Sequence, residues 1–294
     1  MPPFNYIFQK LSLPKYQTLN GSVNYICMLK GIPDRIYMLK VRQEYQANLE
    51  LFMYSKIMDD LRTISGIIEI IQCLMFTDKC LIVQEYPCAT LADFIQVQNS
   101  GNLILRESVI GIIVLDLMKI LRCLQKNFII HGCFKSDNIF IANRLLNFLI
   151  KNKLNFVMLK GEAALLVKLG NWDFANESSD SKEYHENINK NEIVIKSEYD
   201  NDQWNHERDT KDFISIVHEL CDQPLENFYM HQLWLKLFDL ELPSEHEWNT
   251  LIDELAEAVD IHINTNRGIP WITAQAEYNA IFDDLLQTNL EMRL

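Results

Sequence analysis

The chain has 294 residues, of which 48 % are hydrophobic and 23 % charged, and its formal net charge is −13. That length allows one large domain or two small ones with a sizeable core. The negative charge argues against nucleic acid or an anionic membrane as the main partner, so we expect neither. The seven cysteines include no C-x-x-C pair, which argues against zinc and a disulfide framework and indicates a reducing, intracellular compartment.

The first predicted elements are two strands and a helix. Alternating polarity over residues 19–41 predicts a strand pair with a turn at residues 30–34, and the returning strand carries Lys40. Apolar residues at helical spacing predict a helix over residues 46–61, with Glu50 off the centre of the apolar stripe. Glu50 therefore suits either solvated surface or an ion pair with Lys40, and spacing leaves both open.

A second strand pair is predicted at residues 67–76 and 79–85, and it ends at Gln84-Glu85-Tyr86. The next strong element is a helix from Val109 to Leu124, in which apolar residues recur at steps of three and four. A buried helix of this kind suits the base of a second, helical layer.

The stretch HGCFKSDN, residues 131–138, follows that helix within seven residues. A long segment at 143–165 and an apolar strand at 167–169 come next, ahead of Asn171-Trp172-Asp173-Phe174-Ala175. Eight residues are weak evidence taken alone, since a chance turn after a helix has a similar composition.

Taken together, this order of elements resembles a protein kinase, whose catalytic loop has the form H-x-D-x-K-x-x-N. The resemblance implies an α+β, bilobal protein-kinase-like fold in a single domain over residues 1–294. Its β-rich N-lobe would span about 1–84, its hinge about 84–88 and its helical C-lobe about 89–294. The resemblance also implies three sets of site residues. They are the catalytic-loop residues His131, Cys133, Lys135 and Asn138, the nucleotide-binding residues Lys40, Glu50, Gln84, Glu85 and Tyr86, and the metal ligands Asn138 and Asp173.

Three positions depart from the kinase pattern. Cys133 stands where the catalytic Asp is expected, and Gly21 stands almost alone where a glycine-rich loop would cover phosphates. The metal position has two possible registers: Asp173 keeps a carboxylate in a D-F-A turn, whereas Asn171 follows the strand more directly and supplies an amide. We favour Asp173, because magnesium prefers hard, charged oxygen ligands.

The C-terminal part is predicted to be mainly helical. Residues 177–211 are acidic and lack periodicity, as suits an activation segment or a solvated loop, and they are followed by a helix opening at Asp212. Asp212 is expected to accept hydrogen bonds from the catalytic loop. Residues 229–290 are mainly helical, with a capping box at Ser244–Glu247.

Within the kinases, the chain resembles the mitotic spindle-checkpoint family named "budding uninhibited by benzimidazoles", including its pseudokinase branch. The stretches that carry this resemblance are IYMLKV, NLELFMY, LIVQEYPCATLADFI, IIHGCFKSDNIFI, QWNHERDTKDF and LWLKLFDLELPSEHEWNTLIDEL. The resemblance implies a role in mitosis and cell division at kinetochores, in the nucleus and cytoplasm. The implied partners are checkpoint and kinetochore proteins and the anaphase-promoting machinery. ATP with Mg²⁺ is the implied cofactor, with binding weak or absent.

These departures favour a pseudokinase, whose work is stability, docking and conformational signalling. The alternative is a slow but genuine serine/threonine kinase, since positioning and charge stabilisation carry most of the rate of phosphoryl transfer. A third reading takes Cys133 beside His131 as a thiol nucleophile. We disfavour it, because the pair lacks a third group to orient the imidazole.

Overall fold

The computed structural model describes residues 8–10, 16–17, 23–29, 32–63, 66–77, 79–85, 89–97, 107–141, 167–172, 175–177, 206–221 and 228–265. Gly21, Tyr86, Asp173, the 143–165 segment and the predicted helix beyond residue 265 therefore lie outside the described residues. Within the described ranges, no helix combines the length and apolarity needed to cross a membrane.

The N-terminal part is an antiparallel sheet, as the alternating sequence predicts. Its strands are β1 (Phe8–Lys10), β2 (Tyr16–Gln17), β3 (Val23–Leu29), β4 (Ile32–Gln43), β5 (Ile70–Met75) and β6 (Lys79–Glu85). The order is β1-β3-β4-β6-β5, and β2 pairs with β3. Both predicted strand pairs are confirmed. The first turn is tighter than predicted, because Ile32, Pro33 and Asp34 already belong to β4.

One helix, α1 (Glu44–Thr63), covers this sheet. It follows β4 directly, and Ala47 packs with Cys80 and Ile82 of β6 in a small buried cluster. Further along α1, Met53 and Ile57 enter the main hydrophobic core of the protein. The helix therefore connects the sheet with the helical part of the chain.

The C-terminal part is built on α3 (Glu107–Lys126), which is buried along most of its length. The other helices are α2 (Leu91–Val97), α4 (His206–Leu220), α5 (His231–Phe238) and α6 (Glu245–Thr265). The predicted capping box is confirmed, since the Ser244 N–H donates to Glu247 Oε2 at 2.7 Å and the Glu247 N–H donates to Ser244 Oγ at 3.3 Å. The helix predicted to open at Asp212 begins earlier, at His206.

Short strands hold segment 131–138 in place on top of α3. They are β7 (Ala89–Thr90), β8 (Ile129–Ile130), β9 (Ile139–Ile141), β10 (Val167–Leu169) and β11 (Asn176–Glu177). β8 ends directly before the segment, and β9 begins directly after it. The pairing of β9 with β10, which sets Ile139 opposite Leu169, brings residues 170–172 beside the segment.

The sheet and the helical part also meet through backbone hydrogen bonds. The Ile68 N–H donates to the Leu169 carbonyl at 3.0 Å, and the Leu169 N–H donates to the Gly66 carbonyl at 2.9 Å. These bonds attach β10 to residues 66–68, which lead into β5 of the sheet.

Candidate active site

Lys40 and Glu50 form a buried ion pair between β4 and α1. Lys40 Nζ lies 2.7 Å from Glu50 Oε1, and both side chains are almost completely buried. The alternative of a solvated Glu50 is therefore wrong. Arg42 lies on the same face of β4 as Lys40, because side chains two apart in a strand share a face. Its Nε atom is 3.5 Å from Glu50 Oε2, so Glu50 faces two cations.

The two described hinge residues, Gln84 and Glu85, differ in their contacts. Gln84 is buried on β6, and its Nε2 has no hydrogen-bond partner among the described residues. Glu85 is engaged in the structure, because its Oε1 accepts the Glu69 N–H at 2.9 Å and also contacts Lys168 Nζ on β10. Glu85 thus joins the sheet to the strand that leads to residue 170.

His131 is fully buried in the first position of the HGCFKSDN segment. Its Nε2 donates to the Gly170 carbonyl at 3.0 Å, which requires the tautomer that carries its proton on Nε2. The ring meets Trp172 edge-on, with centroids 5.0 Å apart. Burial lowers the pKa of His131 to about 4, so the imidazole is neutral at physiological pH.

Asp209 of α4 holds the backbone of this segment. Its carboxylate accepts the His131 N–H at 2.6 Å and the Gly132 N–H at 2.9 Å, and Gly132 has a φ of 73°. Burial raises the pKa of Asp209 to about 7. Asp212, which the sequence suggested for this role, also accepts a backbone hydrogen bond from the segment, that of Phe134. The principal anchor is therefore Asp209, one helical turn earlier.

Cys133 occupies the position expected for a catalytic base. Its Sγ lies 3.2 Å from Asn138 Nδ2, and that same nitrogen donates to the Cys133 carbonyl at 2.8 Å. Burial raises the pKa of the Cys133 thiol, which keeps it protonated. The Lys135 side chain is exposed, and the Lys135 backbone N–H donates to the Cys133 carbonyl at 2.9 Å.

Asn171, one of the two candidates for the metal position, lies beside Asn138. Its Nδ2 donates to Asn138 Oδ1 at 2.8 Å, and its backbone has a φ of 60°, a left-handed conformation that Asn tolerates better than most residues. Trp172, the next residue, packs on His131. Asp173, the metal ligand that we favoured, lies outside the described residues, so the choice between the two registers stays a prediction.

Asn138 and Asn171 do not by themselves fit a magnesium ion, and Asp173 lies outside the described residues. Asn138 Oδ1, the oxygen that would face a metal, already accepts the Asn171 amide, and both side chains are neutral. No group of three potential His, Cys, Asp or Glu ligands occurs in the described part of the chain. Mg²⁺ requires hard oxygen ligands, usually with at least one carboxylate. Lys40, by contrast, is a buried cation held in position by Glu50.

Comparison with solved structures shows the fold. The chain is similar to the structure titled "Crystal structure of BubR1 kinase domain", with a TM-score of 0.62 and 13 % identity over 94 % of this chain and 85 % of that one. The present chain therefore has a protein-kinase fold. It is also similar to the Cydia pomonella Granulovirus kinase PK-1, with a TM-score of 0.50 and 15 % identity over 88 % of this chain and 90 % of that one. No protein-family model and no curated protein sequence matches the chain.

Two site residues were not predicted from the sequence, Arg42 and Asp209. Arg42 was detectable, since strand alternation from Lys40 places it on the same face. Asp209 was harder to find, because residues 177–211 lack periodicity and α4 was expected to begin only at Asp212. The sequence therefore located the anchored segment and one residue that bonds to it, Asp212, but not the buried anchor Asp209.

Proposed function

We propose that the chain is a pseudokinase domain, a protein-kinase fold that does not transfer phosphoryl groups. A single observation carries this proposal: a thiol from Cys133 and an amide from Asn171 converge on Asn138, where kinase chemistry calls for two carboxylates. The backbone geometry around them serves to hold the fold together rather than to position a base and a metal.

The replacement of the two carboxylates by Cys133 and Asn171 outweighs the presence of the Lys40–Glu50 pair. General-base positioning typically contributes about 10²- to 10⁴-fold in rate, and a thiol with a raised pKa is too weakly polar to replace it. Phosphoryl transfer also depends on electrostatic stabilisation by metal ions. With the amide oxygen of Asn138 already bonded to Asn171, neither requirement is met by the described residues.

Nucleotide binding is a separate question, because binding needs charge and shape and turnover also needs orientation. A bound ATP would supply a polyphosphate that Lys40 can contact, while Glu50 keeps the ammonium in position. We expect Gln84 and Glu85, at the end of β6, to face the adenine as hinge residues. Tyr86 is outside the described residues and stays a prediction.

A slow serine/threonine kinase is the second candidate. The observation in its favour is the intact Lys40–Glu50 pair at 2.7 Å, which in active kinases orients the lysine toward phosphate. This candidate requires substrate geometry or Asp137 to replace the missing base, and Asp137 is exposed on the 3₁₀ turn Ser136–Asn138.

The cellular role that we propose rests on the sequence resemblance to the spindle-checkpoint family. In that role the domain acts at kinetochores of dividing cells as a docking and stability module for checkpoint proteins and the anaphase-promoting machinery. Quantitative affinity purification from mitotically arrested cells tests this. We expect checkpoint and kinetochore proteins to be enriched over an interphase control, and their absence from the mitotic sample would contradict the role.

Phosphoryl transfer is tested by incubating the purified chain with labelled ATP, Mg²⁺ and a generic protein substrate. We expect transfer at the background level for the native chain and for Lys40→Met. Cys133→Asp should give little rescue, since Asn171 still lacks a carboxylate, whereas Cys133→Asp combined with Asn171→Asp should exceed either single variant. Robust native transfer that Lys40→Met abolishes would overturn the pseudokinase proposal in favour of the slow kinase.

A further inference from the structure

We propose that Cys73 and Cys80 form a redox-sensitive modification site, which closes to a disulfide when the chain meets a small-molecule disulfide such as oxidised glutathione. The bond joins β5, the last strand of the sheet in the described part of the chain, to its neighbour β6. The site is independent of nucleotide binding and of phosphoryl transfer.

The two sulfur atoms already lie in contact. Cys73 Sγ is 3.0 Å from Cys80 Sγ, in a hydrogen bond between two free thiols. Because the S–S bond of a disulfide is about 2.05 Å long, the sulfur atoms must approach by only about 1 Å for the bond to form.

The sheet register places both cysteines on one face and makes the bond reversible. Cys73 lies opposite Ile82, and Cys80 is two residues from Ile82, so the cysteines are diagonal neighbours on adjacent strands. The Cα atoms of such neighbours are about 7–8 Å apart, whereas a disulfide spans about 4.4–6.8 Å. β5 must therefore shift toward β6, with which its register already changes between Ile70 and Gln72. Disulfides that strain the backbone are reduced more readily than relaxed ones.

Burial gives the two thiols different roles. Cys80 is fully buried, whereas Cys73 is partly exposed to solvent. Burial raises the pKa of Cys80 to about 12, and the hydrogen bond to Cys73 and the charge on Cys73 act in the same direction. Cys80 therefore keeps its proton and donates it to Cys73 Sγ, which solvent reaches. Cys73 is the attacking thiol and Cys80 the resolving thiol.

The reaction is thiol–disulfide exchange in two steps. The Cys73 thiolate attacks one sulfur of oxidised glutathione, whose S–S bond breaks, and one glutathione leaves as a thiolate. Cys80 then gives its proton to that thiolate and attacks Cys73 Sγ, which displaces the second glutathione. Two electrons pass from the cysteine pair to the oxidant, and the two thiol protons end on two molecules of reduced glutathione. Once Cys73 carries glutathione, its charge no longer opposes the ionisation of Cys80.

The pair lies on the face of the sheet that α1 covers. Cys80 packs with Ala47 of α1 in a small buried cluster, against which Cys73 also packs. Cys80 lies opposite Arg42 in the pairing of β4 with β6, and the charge of Glu50 opposes the ionisation of Cys80. A change in redox state at this pair therefore occurs next to the ion-pair residues of the candidate site.

The experiment exposes the purified, reduced chain to oxidised glutathione and counts its free thiols. The sample is quenched in acid, denatured and alkylated with N-ethylmaleimide, and a sample kept in reduced glutathione is the reference. We expect the oxidised chain to lose two alkylatable thiols and dithiothreitol to restore both.

Peptide mapping assigns the bond. Trypsin cleaves after Lys79, so Cys73 and Cys80 fall in separate peptides, residues 63–79 and 80–106. We expect these two peptides to be joined in the oxidised chain and separate in the reduced one. Fragmentation of the joined peptides distinguishes a bond at Cys80 from one at Cys88.

Two variants test the roles of the thiols. Cys80→Ala removes the resolving thiol, so one glutathione should remain on Cys73, whereas the native chain should end with none there. Cys73→Ser should lose both the bond and this adduct. The matched control is Cys221→Ala, which removes another partly buried thiol and should still form the native bond.

Several results would overturn the proposal. Retention of both thiols in the native chain, or a bond from either of them to another cysteine, shows that the pair is not the modification site. A glutathione adduct that forms on Cys80 in Cys73→Ser as fast as the native bond forms shows that Cys73 is not the attacking thiol.

Hydrogen exchange measures the effect of the bond on the sheet. We expect slower amide exchange in β5 of the oxidised chain than of the reduced chain, because the bond restricts the separation of β5 from β6. Cys73→Ser should show the same exchange in both conditions. Unchanged exchange in the oxidised native chain would overturn the proposed link between the strands.

Discussion

At the scale of single residues, His131 is held in a buried place that disfavours its charged form. Its Nε2 donates to the Gly170 carbonyl, and its ring packs against Trp172 and Phe134 in a site with no access to water. A protonated imidazole would bury a charge there. Burial therefore lowers the pKa of His131 to about 4 in the folded protein, against 6.5 for the ordinary side chain.

This predicts a pH dependence of stability. Between pH 6.5 and 4 the unfolded chain binds a proton at His131 that the folded chain does not, so His131 lowers stability progressively as the pH falls through that window. The full effect is about 3 kcal/mol. We expect the free energy of unfolding of His131→Gln, measured by urea denaturation from pH 7 to pH 4.5, to fall less steeply than that of the native chain.

The comparison must be made between variants, because Asp209 acts in the opposite sense. Its folded pKa is raised to about 7, so its contribution to stability is lost as the pH rises toward 7. A difference between native chain and variant cancels this effect. The control is the exposed His246→Gln, which should retain the native slope. A native slope in His131→Gln would show that the imidazole is not the group responsible.

Residue identities in the site were readable from the sequence where a fixed spacing carries them. Cys133, Lys135 and Asn138 follow from the HGCFKSDN pattern, and the pairing of Lys40 with Glu50 was one of two open alternatives. The choice between Asn171 and Asp173 was not readable, because it depends on where β10 ends. The pairing of Leu169 with Ile139 places Asn171 against Asn138, and Asp173 lies outside the described residues.

At the scale of elements, the orientation of α1 on the sheet depends on Glu50. This carboxylate faces both Lys40 and Arg42 from β4, and all three side chains are buried. Removal of Glu50 takes the shared carboxylate away from two buried cations, Lys40 and Arg42. Removal of Lys40, in contrast, still leaves Glu50 next to Arg42. The three residues therefore do not contribute equally.

We predict that Glu50→Ala destabilises the chain more than Lys40→Met does. The expected costs are about 3–5 kcal/mol for Glu50→Ala and about 1–3 kcal/mol for Lys40→Met. Urea denaturation measures both. Glu44→Ala, at an exposed position in the first turn of the same helix, is the control and should cost less than about 1 kcal/mol. Equal costs for Glu50→Ala and Lys40→Met would contradict the shared role of Glu50.

The packing of α3 against α6 makes a second prediction at this scale. A Cβ at Gly111 would lie 2.5 Å from Val259 Cγ2 and 3.3 Å from Met230 Cε, so the helices approach too closely for a methyl group. Gly111→Ala should cost about 1–3 kcal/mol through overpacking. Adding Val259→Ala removes the clash, so the double variant should lose less free energy of unfolding than the sum of the two single losses. Additive effects in a double-mutant cycle would rule out this contact.

Most elements could be predicted from the sequence because their apolar residues recur at a clear period. The strands β3 to β6 and the helices α1 and α3 lie within a few residues of their predicted limits. The start of α4 at His206 was missed, since the charges of His206–Asp209 obscure the apolar period of the helix. Its buried face includes Asp209 and Thr210, polar groups whose burial reflects hydrogen bonding rather than hydrophobicity.

At the scale of the whole molecule, one hydrophobic core joins the two parts of the fold. Met53 and Ile57 of α1 belong to the same buried cluster as Leu117 and Leu121 of α3, and Ile67 next to the sheet belongs to it as well. The backbone bonds between residues 66–68 and Leu169 reinforce this connection. The sequence suggested two lobes meeting at a hinge and gave no sign of a core shared through α1, because such sharing depends on tertiary packing.

The shared core predicts that damage in α1 spreads to both parts of the fold. Ile57 is fully buried, and Ile57→Ala should cost about 2–5 kcal/mol through lost burial and a residual cavity. We expect amide hydrogen exchange, followed by mass spectrometry, to show protection falling by a similar free energy in β6 and in α3. Ile71→Ala is the control, since Ile71 is 49 % exposed on β5 and should change neither region by more than about 0.5 kcal/mol. Loss of protection in β6 with α3 unchanged would show instead that the sheet and the helical part open independently, and that the contacts of α1 with α3 do not couple them.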